Sequence, residues 1–161
     1  MGLRNRSNFP SGTFYVTTST LDRNIYFTDN SDFEMIERNI EFYRARDKAT
    51  IFGYVVMSNH LHMIVDIPQG NSISNFMRDF KRMTAKEFYG IRNMKSGHLW
   101  QDRFDDLCLI SKEVALTKLN YIHQNPVRAG LVEKAEDWIY SSARCYLYNE
   151  KRIITVTGIE P

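Results

Sequence analysis

The sequence predicts an α+β fold built around an antiparallel sheet. Strand-like and helix-like runs follow one another in the order strand–helix–strand–strand–helix–strand, with further helical segments at the end. This order is the split βαβ arrangement of ferredoxin-like folds, in which helices pack on one face of the sheet. The 161 residues are 43% hydrophobic and contain no repeat or linker, so a single domain over 1–161 is expected.

The first half of the chain supplies three predicted strands and one helix. Residues 13–18 are β-branched and aromatic, which favours a strand. Residues 50–57 and 61–67 predict two more strands, joined tightly around 58–59. A helix of about four turns is predicted between the first two strands. Its apolar residues are Phe33, Ile36, Ile40 and Tyr43.

The second half begins with another helix and an extended segment. The helix starts with a cap at Ser72 or Ser74 and runs to about Tyr89. Residues 100–110 are expected to be extended, with a hairpin turn at 105–106 as an alternative to one continuous segment.

Two further helices complete the predicted domain. The third starts at Ser111 and should end at Pro126, because the residue before a proline avoids the helical region. The fourth is predicted over 136–148. Residues 1–12 are expected to form a polar arm, and 149–161 a C-terminal tail.

The overall composition excludes several classes of protein. A net charge of +2 is too small to indicate a nucleic-acid partner by itself. The two cysteines, Cys108 and Cys145, have neither a disulfide nor a zinc pattern, and Cys108 is expected to be a buried free thiol. No run is long and apolar enough for a membrane span, and the N-terminus lacks a secretory pattern, so an intracellular protein is predicted.

Two histidines at the start of the third predicted strand are the first candidate site. His60 and His62 flank Leu61, so they point to the same face of the sheet, with Cα atoms roughly 6.5–7 Å apart. Both rings could lean toward one metal ion, and oxygen ligands nearby would suit Mg²⁺ or Mn²⁺. Structural zinc is disfavoured because no cysteine pair is available. The alternative is two polar residues on a solvent-facing sheet.

Tyr121 is the candidate nucleophile. Asn125 lies four residues later, so the two side chains share one face of the third helix, and the carboxamide oxygen could bind a hard cation. Gln124 is a chemically similar alternative to Asn125, and His123 is a weaker candidate ligand. Without these neighbours, a tyrosine on an amphipathic helix would be interpreted as a core residue.

Basic residues of the second helix form a candidate DNA-binding face opposite its apolar side. The helix face contains Arg78, Lys81, Arg82 and Lys86, the following loop adds Arg92 and Lys95, and the arm adds Arg4 and Arg6. Contacts to phosphates are the functional interpretation, and a solvated helix face is the alternative.

Four motifs together resemble a known family. Asn-His-Leu-His at 59–62 is similar to the histidine–hydrophobic–histidine (HUH) motif of single-strand tyrosine transposases. Trp-Gln-Asp-Arg-Phe at 100–104, Tyr-Ile-His-Gln-Asn-Pro-Val-Arg-Ala-Gly-Leu-Val at 121–132 and Asp-Trp-Ile-Tyr-Ser-Ser at 137–142 resemble the pattern of REP-associated tyrosine transposases. The HUH triplet alone is weak, whereas its combination with the tyrosine segment is specific.

The resemblance implies a metal-dependent endonuclease and strand transferase that cleaves single-stranded DNA beside hairpins of REP type. It implies that Tyr121 forms a 5′-phosphotyrosine link, and that His60 and His62 hold Mg²⁺ or Mn²⁺. The family's third ligand falls on Asn125, where related insertion-sequence transposases have glutamine. A cytoplasmic, nucleoid-associated protein of bacterial type is the corresponding expectation.

Three questions remain open at the level of the sequence. A catalytically silent DNA-hairpin-binding protein of the same descent is the runner-up function. A ferredoxin-like RNA-binding domain is a third interpretation, disfavoured because its central strands would expose aromatic residues. The protein could act as a monomer or as a homodimer, with Tyr121 reaching the histidines of its own chain or of a second copy.

Overall fold

The computed structural model of the protein describes residues 8–95 and 97–160. Arg4 and Arg6, which were predicted to contact DNA, lie outside the described residues. Within those residues, no helix combines the length and the apolar character needed to cross a lipid bilayer.

Four antiparallel strands form one sheet. The strands are β1 (Gly12–Ser19), β2 (Thr50–Val56), β3 (His60–Ile67) and β4 (Asp105–Cys108). Their order across the sheet is β2-β3-β1-β4, and each neighbouring pair is antiparallel. This order confirms the ferredoxin-like prediction.

Four α-helices accompany the sheet: α1 (Asn30–Asp47), α2 (Ile73–Ile91), α3 (Lys112–Arg128) and α4 (Ala143–Tyr148). Side chains cap the first three helices at their N-termini, where backbone N–H groups lack partners. Asp29 forms a capping box with Asp32. The hydroxyl of Ser72 accepts from the N–H of Asn75, and that of Ser111 accepts from the N–H of Val114.

The alternation of β3 divides the core between the two faces of the sheet. Leu61, Met63 and Val65 point into the larger cluster, which contains the apolar sides of α1 and α2. Ile64 points the other way and packs in a smaller cluster with residues of α3. His60 and His62 are separated from Ile64 by even numbers of residues, so they point to the same face of the sheet. Helix α3 therefore covers the face on which both histidines lie.

A glycine in β2 permits the close approach of α3. A Cβ atom on Gly53 would lie 2.3 Å from Cδ1 of Leu119, a buried side chain of α3, and 3.3 Å from Oγ of Ser142. The pairing of β2 with β3 shifts register between Ile51 and Gly53. The missing side chain therefore sets the distance between α3 and the sheet.

The predicted end of the third helix is wrong. Pro126 lies inside α3, which continues to Arg128. Proline removes one helical hydrogen bond, but its fixed φ suits the helix, and the ladder resumes where the N–H of Ala129 donates to the carbonyl of Asn125. Because Pro126 is buried, packing outweighs the local preference against a helix.

Two other predicted elements also differ from the structure. The hairpin within 100–110 does not form, because Trp100 pairs with Thr20 and β4 pairs with β1. The fourth helix is much shorter than predicted: a 3₁₀ turn at Ala135–Asp137 and an extended stretch precede α4.

The extended stretch before α4 is explained by its hydrogen bonds to the outer edge of β2. The N–H of Val56 donates to the carbonyl of Tyr140, and the N–H of Ser142 donates to the carbonyl of Tyr54. Near the other end of β2, the N–H of Thr157 donates to the carbonyl of Ile51. These bonds satisfy backbone groups of an edge strand that a continuous helix would leave unpaired.

Candidate active site

The histidine pair lies where β3 begins. The ring centroids of His60 and His62 are 4.9 Å apart and the planes are nearly perpendicular, at 81°. His62 is 7% exposed, and His60 is half-buried. The predicted common orientation of the two rings is therefore present, on the face covered by α3.

The Nδ1 atom of each histidine already has a partner in the protein. Nδ1 of His62 lies 2.9 Å from the hydroxyl of Tyr15 and 2.8 Å from that of Thr17. Nδ1 of His60 lies 2.7 Å from Oδ1 of Asn59, whose Nδ2 donates to the carbonyl of Arg23. With both Nδ1 atoms engaged, the Nε2 atoms are the ones suited to a ligand.

The electrostatic environment keeps both imidazoles neutral at physiological pH. Burial lowers the pKa of His62 to about 3, and the nearby His60 and Arg128 act in the same direction. Burial is also the main cause that lowers the pKa of His60; the charge of Arg23 acts in the same direction, and the Asn125 side chain partly opposes it. Neutral imidazole is the form that binds metal ions.

Helix α3 brings the predicted nucleophile to the histidines of the same chain. The rings of His62 and Tyr121 meet edge to face with centroids 5.8 Å apart, and Tyr121 is 44% exposed. The side chain of Asn125 lies close enough to His60 to act on its pKa, in the direction opposite to burial. The four site residues predicted from the sequence therefore converge at one place, within a single chain.

This residue set could hold a divalent cation. The described part of the chain contains no cluster of three or more His, Cys, Asp or Glu residues suited to a metal. Two imidazoles and a carboxamide oxygen would nevertheless make a ligand set that leaves positions open for substrate oxygens and water. The effect of Asn125 on the pKa of His60 places the amide beside the histidine pair.

Tyr15 is a member of the site that sequence reasoning missed. Its ring stacks on His62, with centroids 5.7 Å apart and planes at 12°, and meets Tyr121 edge to face at 6.4 Å. Burial is the main cause that raises the pKa of Tyr15 to about 12. The alternation of β1 placed Tyr15 and Thr17 on one face, but only the register opposite β3 aligns Thr17 with His62.

Two cations next to Tyr121 were also missed. The guanidinium carbon of Arg128 lies 4.1 Å from the centroid of the Tyr121 ring, and its Nη2 donates to the Tyr121 carbonyl at 2.8 Å. Nζ of Lys118 lies 4.9 Å from the centroid of Tyr15 and 6.0 Å from that of Tyr121. Both residues are at helical spacings from Tyr121, a signal that helix periodicity offered.

The alternative ligands on α3 lie elsewhere. Nε2 of His123 is 2.8 Å from the hydroxyl of Ser142, and burial lowers the pKa of His123 to about 4. Gln124 and His123 line a separate cavity of about 430 Å³ with Asn120 and Tyr146. Neither side chain is therefore directed at the histidine pair.

The predicted basic face of α2 lines a groove of about 540 Å³. Its basic members are Arg78, Lys81, Arg82 and Lys86, and its opposite wall is formed by residues 97–102 and 104. Nζ of Lys81 donates to the carbonyls of Gln101 and Arg103, which fixes the two walls together.

The other predicted basic residues have different surroundings. Arg92 stacks on Phe88 and pairs with the buried carboxylate of Asp32 at 2.6 Å, so its guanidinium links α2 to the start of α1. Lys95 is exposed. Arg78 lies 3.0 Å and Arg82 3.9 Å from Asp79.

Two bacterial proteins are similar to this chain in sequence. The chain is 27% identical over 150 residues to a Haemophilus influenzae protein, covering 85% of this chain and 83% of that protein, which carries provisionally the name REP-associated tyrosine transposase. It is 26% identical over 132 residues to the REP-associated tyrosine transposase of Escherichia coli, covering 81% and 76%.

A solved structure and a protein family also match this chain. The structure of a REP-associated tyrosine transposase bound to a REP hairpin aligns over 100% of this chain and 94% of its own, with a TM-score of 0.75 and 23% identity, and so shows the same fold. The family described as "Transposase IS200 like" matches residues 12–125. The chain therefore belongs to the IS200-like transposase family.

Proposed function

We propose that this protein is a metal-dependent endonuclease and strand transferase that cleaves single-stranded DNA beside hairpins through a 5′-phosphotyrosine intermediate. The observation that carries the proposal is the edge-to-face contact of Tyr121 with His62, 5.8 Å between ring centroids, within one chain. Membership of a transposase family supports DNA as the substrate.

Tyr121 supplies the nucleophile in the proposed reaction. Its phenolic oxygen attacks the scissile phosphorus, a Tyr–O–P bond forms, and the bond from phosphorus to the 3′ oxygen of the upstream strand breaks. The phenolic proton passes to solvent, and the departing 3′ oxygen takes a proton from solvent. Attack by another 3′-hydroxyl reverses these steps and releases Tyr121, so one phosphodiester replaces another without ATP.

Tyr121 suits this role better than Tyr15. The side chain of Tyr121 is 44% exposed, so a DNA strand can reach its hydroxyl. The Tyr15 hydroxyl is instead directed at Nδ1 of His62, and burial holds the pKa of Tyr15 at about 12, which disfavours a phenolate.

His60, His62 and Asn125 would hold the cation. Mg²⁺ or Mn²⁺ bound there would supply Lewis-acid polarisation of the scissile phosphate. The protein's own contribution is orientation: Tyr15 and Thr17 fix the ring of His62, and Asn59 fixes that of His60. Because both pKa values are lowered, the ligands need not lose protons near neutral pH.

A DNA hairpin is the proposed partner. The structural neighbour with a TM-score of 0.75 is bound to a REP hairpin. In this chain, the groove beside α2 carries Arg82 and Lys86 as exposed cations. Such a groove could bind the phosphates of a hairpin stem and leave the unpaired strand to reach Tyr121.

An oligonucleotide with a hairpin and a single-stranded flank, labelled at either end, tests the proposal in Mg²⁺ or Mn²⁺. We expect cleavage and a covalent protein adduct on the 3′ fragment, lost in Tyr121→Phe and kept in Tyr15→Phe. An adduct in Tyr121→Phe would show that the nucleophile is another residue. Tight binding with no cleavage by the wild-type protein would favour a catalytically silent hairpin-binding protein.

A further inference from the structure

One face of α3 carries cations on both sides of the proposed nucleophile. Lys118 precedes Tyr121 by one turn, and Arg128 follows it by two. We propose that Lys118 and Arg128 form a phosphate-binding pair that holds the single strand at Tyr121 and neutralises charge on the attacked phosphate. This inference rests on the proposed function and identifies further residues of that same site.

Arg128 owes its position to the continuation of α3 beyond Pro126. If the helix had ended at the proline, Arg128 would not share a face with Tyr121. Instead its guanidinium carbon lies 4.1 Å from the centroid of the tyrosine ring, and Nη2 donates to the Tyr121 carbonyl. A guanidinium has five N–H donors, so this bond leaves further donors for phosphate oxygens.

Lys118 approaches the site from the opposite end. Its side chain is half-buried, and its Nζ lies 4.9 Å from the centroid of Tyr15, a ring that contacts both His62 and Tyr121. The positive charges of Lys118 and Arg128 both contribute to lowering the pKa of His62. Lys118 and Arg128 also both lie beside the Tyr121 ring, at 6.0 Å and 4.1 Å from its centroid.

Neither cation is neutralised locally. No Asp or Glu of residues 8–95 and 97–160 forms an ion pair with Lys118 or Arg128, whereas Arg46, Arg92 and Arg144 each have a carboxylate partner within 2.6 Å. Two unpaired positive charges beside two neutral imidazoles make the site attractive to an anion. A phosphodiester of the bound strand is the anion that the proposed reaction supplies.

The geometry suits the charge that develops during the reaction. Attack by a phenolic oxygen adds negative charge to the nonbridging oxygens of the phosphate and to the oxygen that leaves. Cations fixed beforehand next to the nucleophile stabilise this charge without reorganisation. Arg128 contacts Tyr121 itself and is therefore the stronger candidate for binding the scissile phosphate. Lys118 would bind the same phosphate or the adjacent one.

Charge and helix packing can be separated by the choice of variants. Arg128→Gln removes the charge and keeps an N–H donor for the Tyr121 carbonyl, whereas Arg128→Lys keeps the charge and loses the planar fork. Lys118→Gln and Lys118→Arg form the corresponding pair. Arg38→Ala is the matched control, since Arg38 is an exposed cation of α1 whose guanidinium lies 3.6 Å from Glu87.

Two measurements test the proposal separately. Affinity for the hairpin oligonucleotide is measured against salt concentration in a Tyr121→Phe background, which needs no cleavage. Single-turnover cleavage is measured in the background with Tyr121 intact. Thermal melting checks that each variant is folded. If a glutamine variant is not folded, the lysine or arginine variant at the same position is compared with the wild-type protein instead.

We expect Arg128→Gln and Lys118→Gln each to flatten the salt slope by about 0.7, the value for one phosphate contact on a single strand. Arg128→Gln should slow cleavage by about 100-fold, with Arg128→Lys partly restoring the rate. Arg38→Ala should leave slope and rate unchanged. Unchanged slopes in both glutamine variants would overturn the phosphate-binding pair, whatever the cleavage assay shows. If the wild-type protein does not cleave the oligonucleotide but the glutamine variants still have flatter salt slopes, only the proposed function is overturned.

Discussion

The hydroxyl of Tyr15 and Nδ1 of His62 lie 2.9 Å apart, and their rings stack with centroids separated by 5.7 Å. Because Tyr15 also contacts Tyr121 edge to face, one residue of β1 links the proposed metal ligand to the proposed nucleophile. Thr17, two residues further along β1, provides the second hydroxyl at the same nitrogen. The sheet register therefore determines the orientation of the imidazole.

Removing these hydroxyls should weaken metal binding. Tyr15→Phe leaves Thr17 as a partner of His62, so we expect a loss of Mn²⁺ affinity of less than about tenfold. The Tyr15→Phe, Thr17→Val double variant should lose about 10–100-fold, the usual effect of losing partners that orient a ligand. Calorimetric titration with Mn²⁺ measures both. Equal affinity in the wild-type protein and the double variant would show that the hydroxyls do not orient the ligand.

The proposed ligands should differ in importance. His60→Ala and His62→Ala should each reduce Mg²⁺-dependent cleavage by about 100-fold or more, because Lewis-acid assistance is worth several kcal/mol. Asn125→Ala should cost less, since a neutral amide is a weaker ligand. Single-turnover rates provide the measurement, with Arg38→Ala, an exposed residue of α1, as control. Rates within threefold of wild type in both histidine variants would refute metal catalysis at this pair.

The spacing of α3 from the sheet should depend on Gly53. Gly53→Ala places a methyl group 2.3 Å from Leu119 Cδ1, so we expect a loss of about 1–3 kcal/mol of stability and slower cleavage as Tyr121 moves. On a Leu119→Ala background, the same glycine substitution should cost much less, because the conflicting atom is gone. Urea denaturation of the four proteins gives the coupling energy. Additive costs would indicate that the helix is not held at this distance by the glycine.

Two sets of basic residues should behave differently. Arg82→Ala with Lys86→Ala removes exposed cations of the α2 groove and should flatten the salt dependence of hairpin binding. Arg92→Ala should leave that slope unchanged but destabilise the protein by about 1–3 kcal/mol, because it leaves Asp32 buried without its partner. Filter binding and thermal melting distinguish the two. A change in the salt dependence of hairpin binding in Arg92→Ala would show that Arg92 belongs to the DNA-binding surface of the protein.

Stability should depend on pH through Glu37, which lies in the core beneath the C-terminal tail. Burial raises the pKa of Glu37 despite the hydrogen bond from Tyr54 and the charge of Arg152, 4.0 Å away. A raised pKa means that the folded state holds a proton that the unfolded state loses, so this stabilisation is complete below pH 4.5 and falls as pH rises through the folded pKa.

Glu37→Gln should remove that dependence while keeping an acceptor for Tyr54. The stability of the variant relative to wild type should therefore increase from pH 4.5 towards neutrality, as measured by urea denaturation. Arg38→Ala serves again as a neighbouring control on α1. A constant difference across this range would mean that Glu37 titrates alike in both states.

The order of the strands and helices could be predicted because each element carries its own periodicity. Alternation in β3 placed both histidines on one face, and helical spacing placed Tyr121 and Asn125 together. Predictions were wrong where local preference conflicted with packing. Pro126 argued for a helix end, and the helical pattern of 136–148 concealed a stretch that hydrogen-bonds to β2.

The sequence by itself determined the strand–helix order, the shared face of His60 and His62, and the shared face of Tyr121 and Asn125, because these depend on repeats of two or four residues within one element. Only the tertiary structure decided that α3 covers the histidine face, that Tyr15 and Thr17 align with His62, and that Lys118 and Arg128 flank the nucleophile in the same chain. Contacts between distant segments depend on register, on the close approach at Gly53 and on the continuation of a helix through a proline. Each of these is fixed by packing across the whole domain.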